Sequence, residues 1–139
     1  VGDEEEIANS VRNTLASPRI AMATTQNSWR EVGVAAEISE GMEIEGSIDL
    51  IIQNDDDTVT IVDYKTDQVE GEILQERAKG YEPQLAGYAL ALEKLDMKVR
   101  EAVLVFATGG VNNTAFEYRV QDLEAAKIDV MSDIRVQYC

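Results

Sequence analysis

Histidine is absent from all 139 residues, and cysteine occurs once, at Cys139. The first absence removes His-based triads, His general bases and His-ligated zinc. The second removes an internal disulfide and an internal cysteine-held cluster, which fits a reducing cytoplasm. Basic residues are also scarce: Lys and Arg total 12 against 27 Asp and Glu, for a net charge of −15. Phosphate binding normally rests on a basic patch. The balance therefore speaks against nucleic acid unless other domains of a longer protein hold it, or the protein works in high salt. Acidic, Lys-poor surfaces keep proteins soluble there, and five Lys against seven Arg agree with that reading. No apolar run approaches the ~20 residues of a membrane span. The opening Val1-Gly2-Asp3-Glu4-Glu5-Glu6 is acidic where a secretory leader would be basic. With no initiator Met, the chain reads as a domain excised from a longer one. Any metal here must be a hard cation held by oxygen, Mg²⁺ or Mn²⁺.

What is present is a chain that is 45% hydrophobic, of a length that supports one domain with a real core. Residues 3–16 predict a helix: Asp3 caps, Glu4 to Glu6 suit the positive dipole end, and Ile7, Val11 and Leu15 form a stripe. Ser17-Pro18 ends it. Trp29–Ser39, Glu43–Gln53 and Thr58–Lys65 read as an antiparallel meander, turning at Glu40-Gly41-Met42 and at Asn54–Asp57. Ile73–Leu95 is helical, with a break expected near Gly80 and Pro83 starting a second half. Its apolar face is Leu85, Tyr88, Ala89, Leu92 and Leu95. Val99–Ala107 is a central apolar strand, Thr114–Val120 an edge strand, and Asp122–Val136 a last helix with Leu123, Ala126, Val130 and Ile134 inward. The order is that of an α/β fold: a mixed β-sheet flanked by helices.

Apolar strands rarely carry charge without cause, because a buried unpaired ion costs several kcal/mol. Asp49, Asp63 and Lys65 therefore need explaining. Asp63 and Lys65 share one strand face. The carboxylate can hold a divalent cation, joined by the Tyr64 carbonyl, while the Lys contacts a phosphate or orients a water. Asp49 and Asp63 are centred on position 56, inside the Asn54–Asp57 turn, so antiparallel pairing puts both carboxylates at one level. Gly46 allows close approach of backbone or ligand. The plainer reading is a surface hairpin with salt bridges of little energetic consequence. Gln84 and Tyr88, at i and i+4, share a helix face and could hold a nucleic-acid backbone or a bound water; equally, Tyr88 could be core and Gln84 solvated. Glu31 is a further carboxylate candidate, or a solvent-facing strand Glu. Asp55-Asp56-Asp57 reads as a solvated turn without Ca²⁺-loop spacing.

Together, Gly46-Ser47-Ile48-Asp49, Val62-Asp63-Tyr64-Lys65-Thr66-Asp67 and Tyr81-x-x-Gln84-Leu85-x-x-Tyr88 resemble the nuclease domain of RecB- and AddA-type helicase–nucleases, within the PD-(D/E)XK nuclease superfamily. Leu15-Ala16-Ser17-Pro18 and Trp29-Arg30-Glu31-Val32 add to the resemblance, which covers residues 7–107. It implies a restriction-endonuclease-like α-β-β-β-α-β core and Mg²⁺- or Mn²⁺-dependent cleavage of DNA. It also implies a role in repair or recombination, beside a helicase portion of the same chain and a second helicase–nuclease subunit. Asp49, Asp63 and Lys65 would be catalytic. Asp49, Asp63, Tyr64 and Glu31 would serve the metal, and Gln84, Tyr88 and Thr66 the DNA. Members often carry an upstream His in the metal shell, and some hold an iron–sulfur cluster on four Cys. Neither set is here, so no iron–sulfur cluster is expected. Two alternatives stand beside this reading: a fold-retaining DNA-binding or scaffolding domain without activity, and a free-standing exonuclease.

Overall fold

The computed structural model describes residues 27–66, 71–107 and 115–138. The helix expected over 3–16 lies outside these residues. The described chain runs β1 (Ser28–Ser39), β2 (Met42–Gln53), β3 (Val59–Lys65), α1 (Gly71–Lys94), β4 (Val99–Phe106), β5 (Phe116–Arg119) and α2 (Leu123–Tyr138). The strands form one sheet in the order β1-β2-β3-β4-β5. β1–β2–β3 is an antiparallel meander. β3 then pairs in parallel with β4 through α1, and β5 closes the far edge antiparallel. The sheet is mixed and β4 is interior, as the sequence predicts.

β3 and β4 are buried nearly throughout because both sheet faces are covered, so their apolar residues run almost unbroken. Val59 and Ile61 join Leu74, Ala78, Leu85, Ala89 and Leu92 of α1 in one core. Val62, Val103 and Val105 join Leu50 and Ile52 in a second. α1 lies across β1, β2 and β4, and α2 packs on α1.

Several expectations need correcting. α1 has no break at Gly80, and Pro83 sits inside it. Proline removes one hydrogen bond and crowds the preceding turn, yet the buried residues on both sides of Pro83 hold the helix as one rod against the sheet. α1 ends at Lys94, and Leu95 is 52% exposed, outside the apolar face assigned to it. β5 is shorter than expected. α2 begins where Asp122 Oδ1 accepts the Ala125 N–H at 3.0 Å, a side-chain cap. Its buried stripe includes Lys127, which is satisfied by Glu93 (2.6 Å) and Glu124 (2.7 Å). Leu123 is buried and Ala126 and Val130 are half-buried; the Ile134 side chain lies outside the described set.

One irregularity positions the site. Val32, Val34 and Ile48 face the α1 core. Past Glu31 and Asp49, which lie opposite each other, Ile51 faces that core while Leu50 and Ile52 face the other. The alternation slips by one residue at this pair, and Glu31 takes a left-handed backbone, φ 52°.

Candidate active site

β2 and β3 stay in register from Gln53↔Val59 to Leu50↔Val62. The same register, continued one step, sets Asp49 level with Asp63, as the turn centred on position 56 predicts. Backbone pairing stops there and a side chain takes over: Asp49 Oδ2 accepts the Tyr64 N–H at 2.8 Å. The Asp49 carboxylate thus sits at the fork where β2 leaves β3, facing Asp63.

Asp63 is buried, 7% exposed. Lys65 Nζ lies 2.8 Å from its Oδ2. The buried Oδ2 is ion-paired to that ammonium and has no further partner among the described residues. Burial, then the Asp49 carboxylate beside it, push the Asp63 carboxyl up to about 6, and Lys65 offsets only part of this. Two carboxylates at close range share charge poorly without a cation between them. A buried carboxylate, a second carboxylate at its level and a raised pKa together fit a hard, oxygen-ligated cation.

Lys65 is fixed on several sides. Besides Asp63, it donates to Gln84 Oε1 at 3.1 Å, and its Nζ stands 3.9 Å from the Tyr81 ring centroid. That distance is within the range of a cation–π contact. Gln84 Nε2 donates to the Tyr88 hydroxyl at 3.4 Å. A Cβ at Gly46 would fall 2.8 Å from Tyr88 Cε1 and 2.9 Å from its hydroxyl. The close approach expected at Gly46 is therefore made by the Tyr88 ring. On the opposite sheet face Arg30 Nη1 donates to the Tyr64 hydroxyl at 3.4 Å.

The structure brings Asp49, Asp63, Tyr64, Lys65, Gln84 and Tyr88 together. Glu31 is exposed on β1 opposite Asp49, and among the described residues no three acidic side chains converge on one point. Thr66 is exposed at the end of β3. The Asp55-Asp56-Asp57 run is a solvated turn, as expected. Asp56 caps the Thr58 N–H and hydroxyl, which hold its carboxyl below the usual range. Tyr81 received no role from the sequence. The available signal was its spacing, three residues before Gln84 and seven before Tyr88, on the same helix face.

Residues 2–134 match the profile of the PD-(D/E)XK nuclease superfamily. The A subunit of the ATP-dependent helicase/nuclease of Carboxydothermus hydrogenoformans is 45% identical over 73 residues, 52% of this chain and 6% of that protein. The protein of the same name from Bacillus cytotoxicus is 42% identical over 77 residues, 48% of this chain and 6% of that protein. The matched stretch thus spans a small fraction of these relatives. The crystal structure of SSO0001 superposes with a TM-score of 0.52 at 18% identity, covering 96% of this chain and 68% of that one, a likeness of fold.

Proposed function

The chain belongs to the PD-(D/E)XK nuclease superfamily, and from that premise we propose that it is a metal-dependent deoxyribonuclease, the DNA-cutting domain of a longer helicase–nuclease acting in repair or recombination. The observation that carries this is the Asp49–Asp63 carboxylate pair with the Lys65 ammonium 2.8 Å from Asp63. Asp49, Asp63 and the Tyr64 carbonyl would hold Mg²⁺ or Mn²⁺; Glu31, exposed on β1, would join only if its side chain swung toward Asp49. When bound, such a cation supplies charge that stabilises the attacked phosphate and makes a water more acidic.

The chain's own residues do the rest. Lys65 presents a fixed ammonium to the phosphate, and Gln84 and Tyr81 keep it from swinging into solvent. Preorganised charge of this kind acts where negative charge develops. Tyr88, seated on Gly46, and Thr66, at the strand end, flank the path of the DNA backbone. The helicase portion of the parent chain, together with a second protein of the complex, would deliver the strand. The acidic surface supports a salt-rich cytoplasm.

The test is Mg²⁺-dependent degradation of linear DNA by the purified chain. Lys65→Ala and Asp63→Ala should each lower the rate by about 10²-fold or more, the scale of losing one charge-stabilising group. A chain that binds Mn²⁺ by calorimetry and cuts no DNA overturns the catalytic reading. The chain has no histidine to serve as the upstream metal-shell His that family members often carry, and this favours, as the second reading, a domain that binds DNA without cutting it. In that case DNA affinity survives Lys65→Ala with no cleavage in either protein.

A further inference from the structure

Gly46 has no local reason to be glycine. It sits inside β2, paired with Val34. A strand interior is weakened by glycine, which has no side chain to pack and loses the most freedom on folding. Its φ is not positive; the described glycines that use that freedom are Gly41 and Gly71. What Gly46 does allow is a close approach. A Cβ there would stand 2.8 Å from Tyr88 Cε1 and 2.9 Å from the Tyr88 hydroxyl. The neighbouring contact is of the same kind: a Cβ at the buried Gly87 would stand 3.1 Å from Ile44 Cδ1. Two glycines, one from each element, thus set how closely α1 crosses β2.

The crossing fixes more than packing, because a line of polar contacts runs from Tyr88 to the lysine. The Tyr88 hydroxyl accepts from Gln84 Nε2 at 3.4 Å, and Gln84 Oε1 accepts from Lys65 Nζ at 3.1 Å. Gln84 is exposed and Tyr88 half-buried. An exposed amide with one partner trades it readily for water, since a single hydrogen bond contributes little net. An anchor at the other end of the amide changes this. With Nε2 engaged by the hydroxyl, Oε1 is left facing the ammonium, which is a donor only and needs an acceptor. The ring serves as that anchor only where it stands, and it stands there because Gly46 has no side chain.

We propose that Gly46 is a positioning residue for the cleavage reaction: it seats the Tyr88 ring, Tyr88 holds Gln84, and Gln84 aims Lys65 at the phosphate. The proposal rests on the nuclease reading above, and adds to it a residue that need touch neither metal nor DNA. Gly87 keeps the same crossing close from the α1 side.

Gly46→Ala tests it. The new methyl meets a tyrosine ring, which can swing aside, rather than backbone, so the strand should hold. Two readouts are taken on the 139-residue chain. One is KM and kcat for Mg²⁺-dependent cleavage of a linear oligonucleotide. The other is the rate at which acetic anhydride modifies Lys65, followed by mass spectrometry without metal or DNA. Gly46→Ala should lower kcat about tenfold or more with KM little changed, the scale of a small misplacement at the reacting centre. It should also speed acetylation of Lys65 several-fold, while the exposed Lys79 reacts as in the parent. Gly33→Ala, a strand glycine whose added Cβ meets nothing within 4 Å, should change neither readout. In a Gln84→Ala background, Gly46→Ala should add nothing, since residues that act through one another are not additive. Full additivity overturns the relay, as does a folded Gly46→Ala with parental kcat and parental Lys65 reactivity. If Gly46→Ala does not fold, Tyr88→Phe decides: it keeps the ring and removes the hydroxyl, and parental Lys65 reactivity there overturns the proposal. A parent chain that cuts no DNA overturns the nuclease reading, while the acetylation rates still decide whether Gly46 positions Lys65.

Discussion

At the scale of the residue, Asp63 is the group whose surroundings ask most of it. Its carboxyl titrates at about 6 in the fold against an ordinary 3.8, because it is buried and faces Asp49. A raised folded pKa means that the native state binds the proton more tightly than the unfolded chain does. Between those two values the native state holds more protons, and stability falls as pH rises. The metal-free protein should therefore lose stability, relative to Asp63→Asn, as pH is taken from about 4 to about 7. Melting temperatures of the two proteins across that range measure this, and taking the difference cancels the other carboxylates. A constant difference would refute the shift. Asp49 and Asp63 were legible as a pair in the sequence, because a turn centred on one position admits one antiparallel register. Tyr81 was not, since a tyrosine on an amphipathic helix looks the same whether it meets a core or an ammonium.

At the scale of the element, β1 and β2 hold the feature least visible in the sequence. The slip at Glu31 and Asp49 turns a simple alternation into two, one on each side of the pair. No residue pattern announced it: Val32, Val34 and Ile48 read as one face, and Leu50, Ile51 and Ile52 are apolar whichever way they point. Gly80 and Pro83 misled in the opposite sense, because local breaking tendencies lost to the apolar contacts that α1 makes along its length. The left-handed backbone of Glu31 costs roughly 1–2 kcal/mol for a residue with a Cβ, and such conformations persist where function holds them. Glu31→Gly should raise the melting temperature, since glycine adopts this φ freely, while lowering the rate of DNA cleavage through loss of the carboxylate. Thermal unfolding beside cleavage kinetics reads both. A fall in melting temperature would show that the Glu31 side chain stabilises the fold more than its backbone strains it.

At the scale of the whole molecule, the charge of −15 sets how the protein meets its solution. Like charges spread over a small domain repel, and salt shortens their reach to about 3 Å at 1 M. The melting temperature should climb as KCl is raised from about 0.1 M to about 1 M, while DNA affinity falls over the same range, since phosphate contacts weaken with salt. Unfolding and anisotropy on the same samples check this, and a melting temperature indifferent to KCl would argue against self-repulsion. This much of the molecule was plain in composition alone. What composition hid was that Asp63 and Lys65 sit at the end of β3, the middle strand of the sheet.

That position of β3 also dictates the order in which the site comes into being. Its partnership with β2 closes across the short Asn54–Asp57 turn, whereas its partnership with β4 must wait for all of α1 to be laid down and docked. Hairpins form in about 1–10 μs, and contacts between distant residues come later because their loop entropy must be met first. On the metal-site reading proposed above, the two carboxylates are expected to meet early in folding, before Gln84 and Tyr81 arrive to orient the lysine, so a half-folded chain would bind a cation without being equipped to cut.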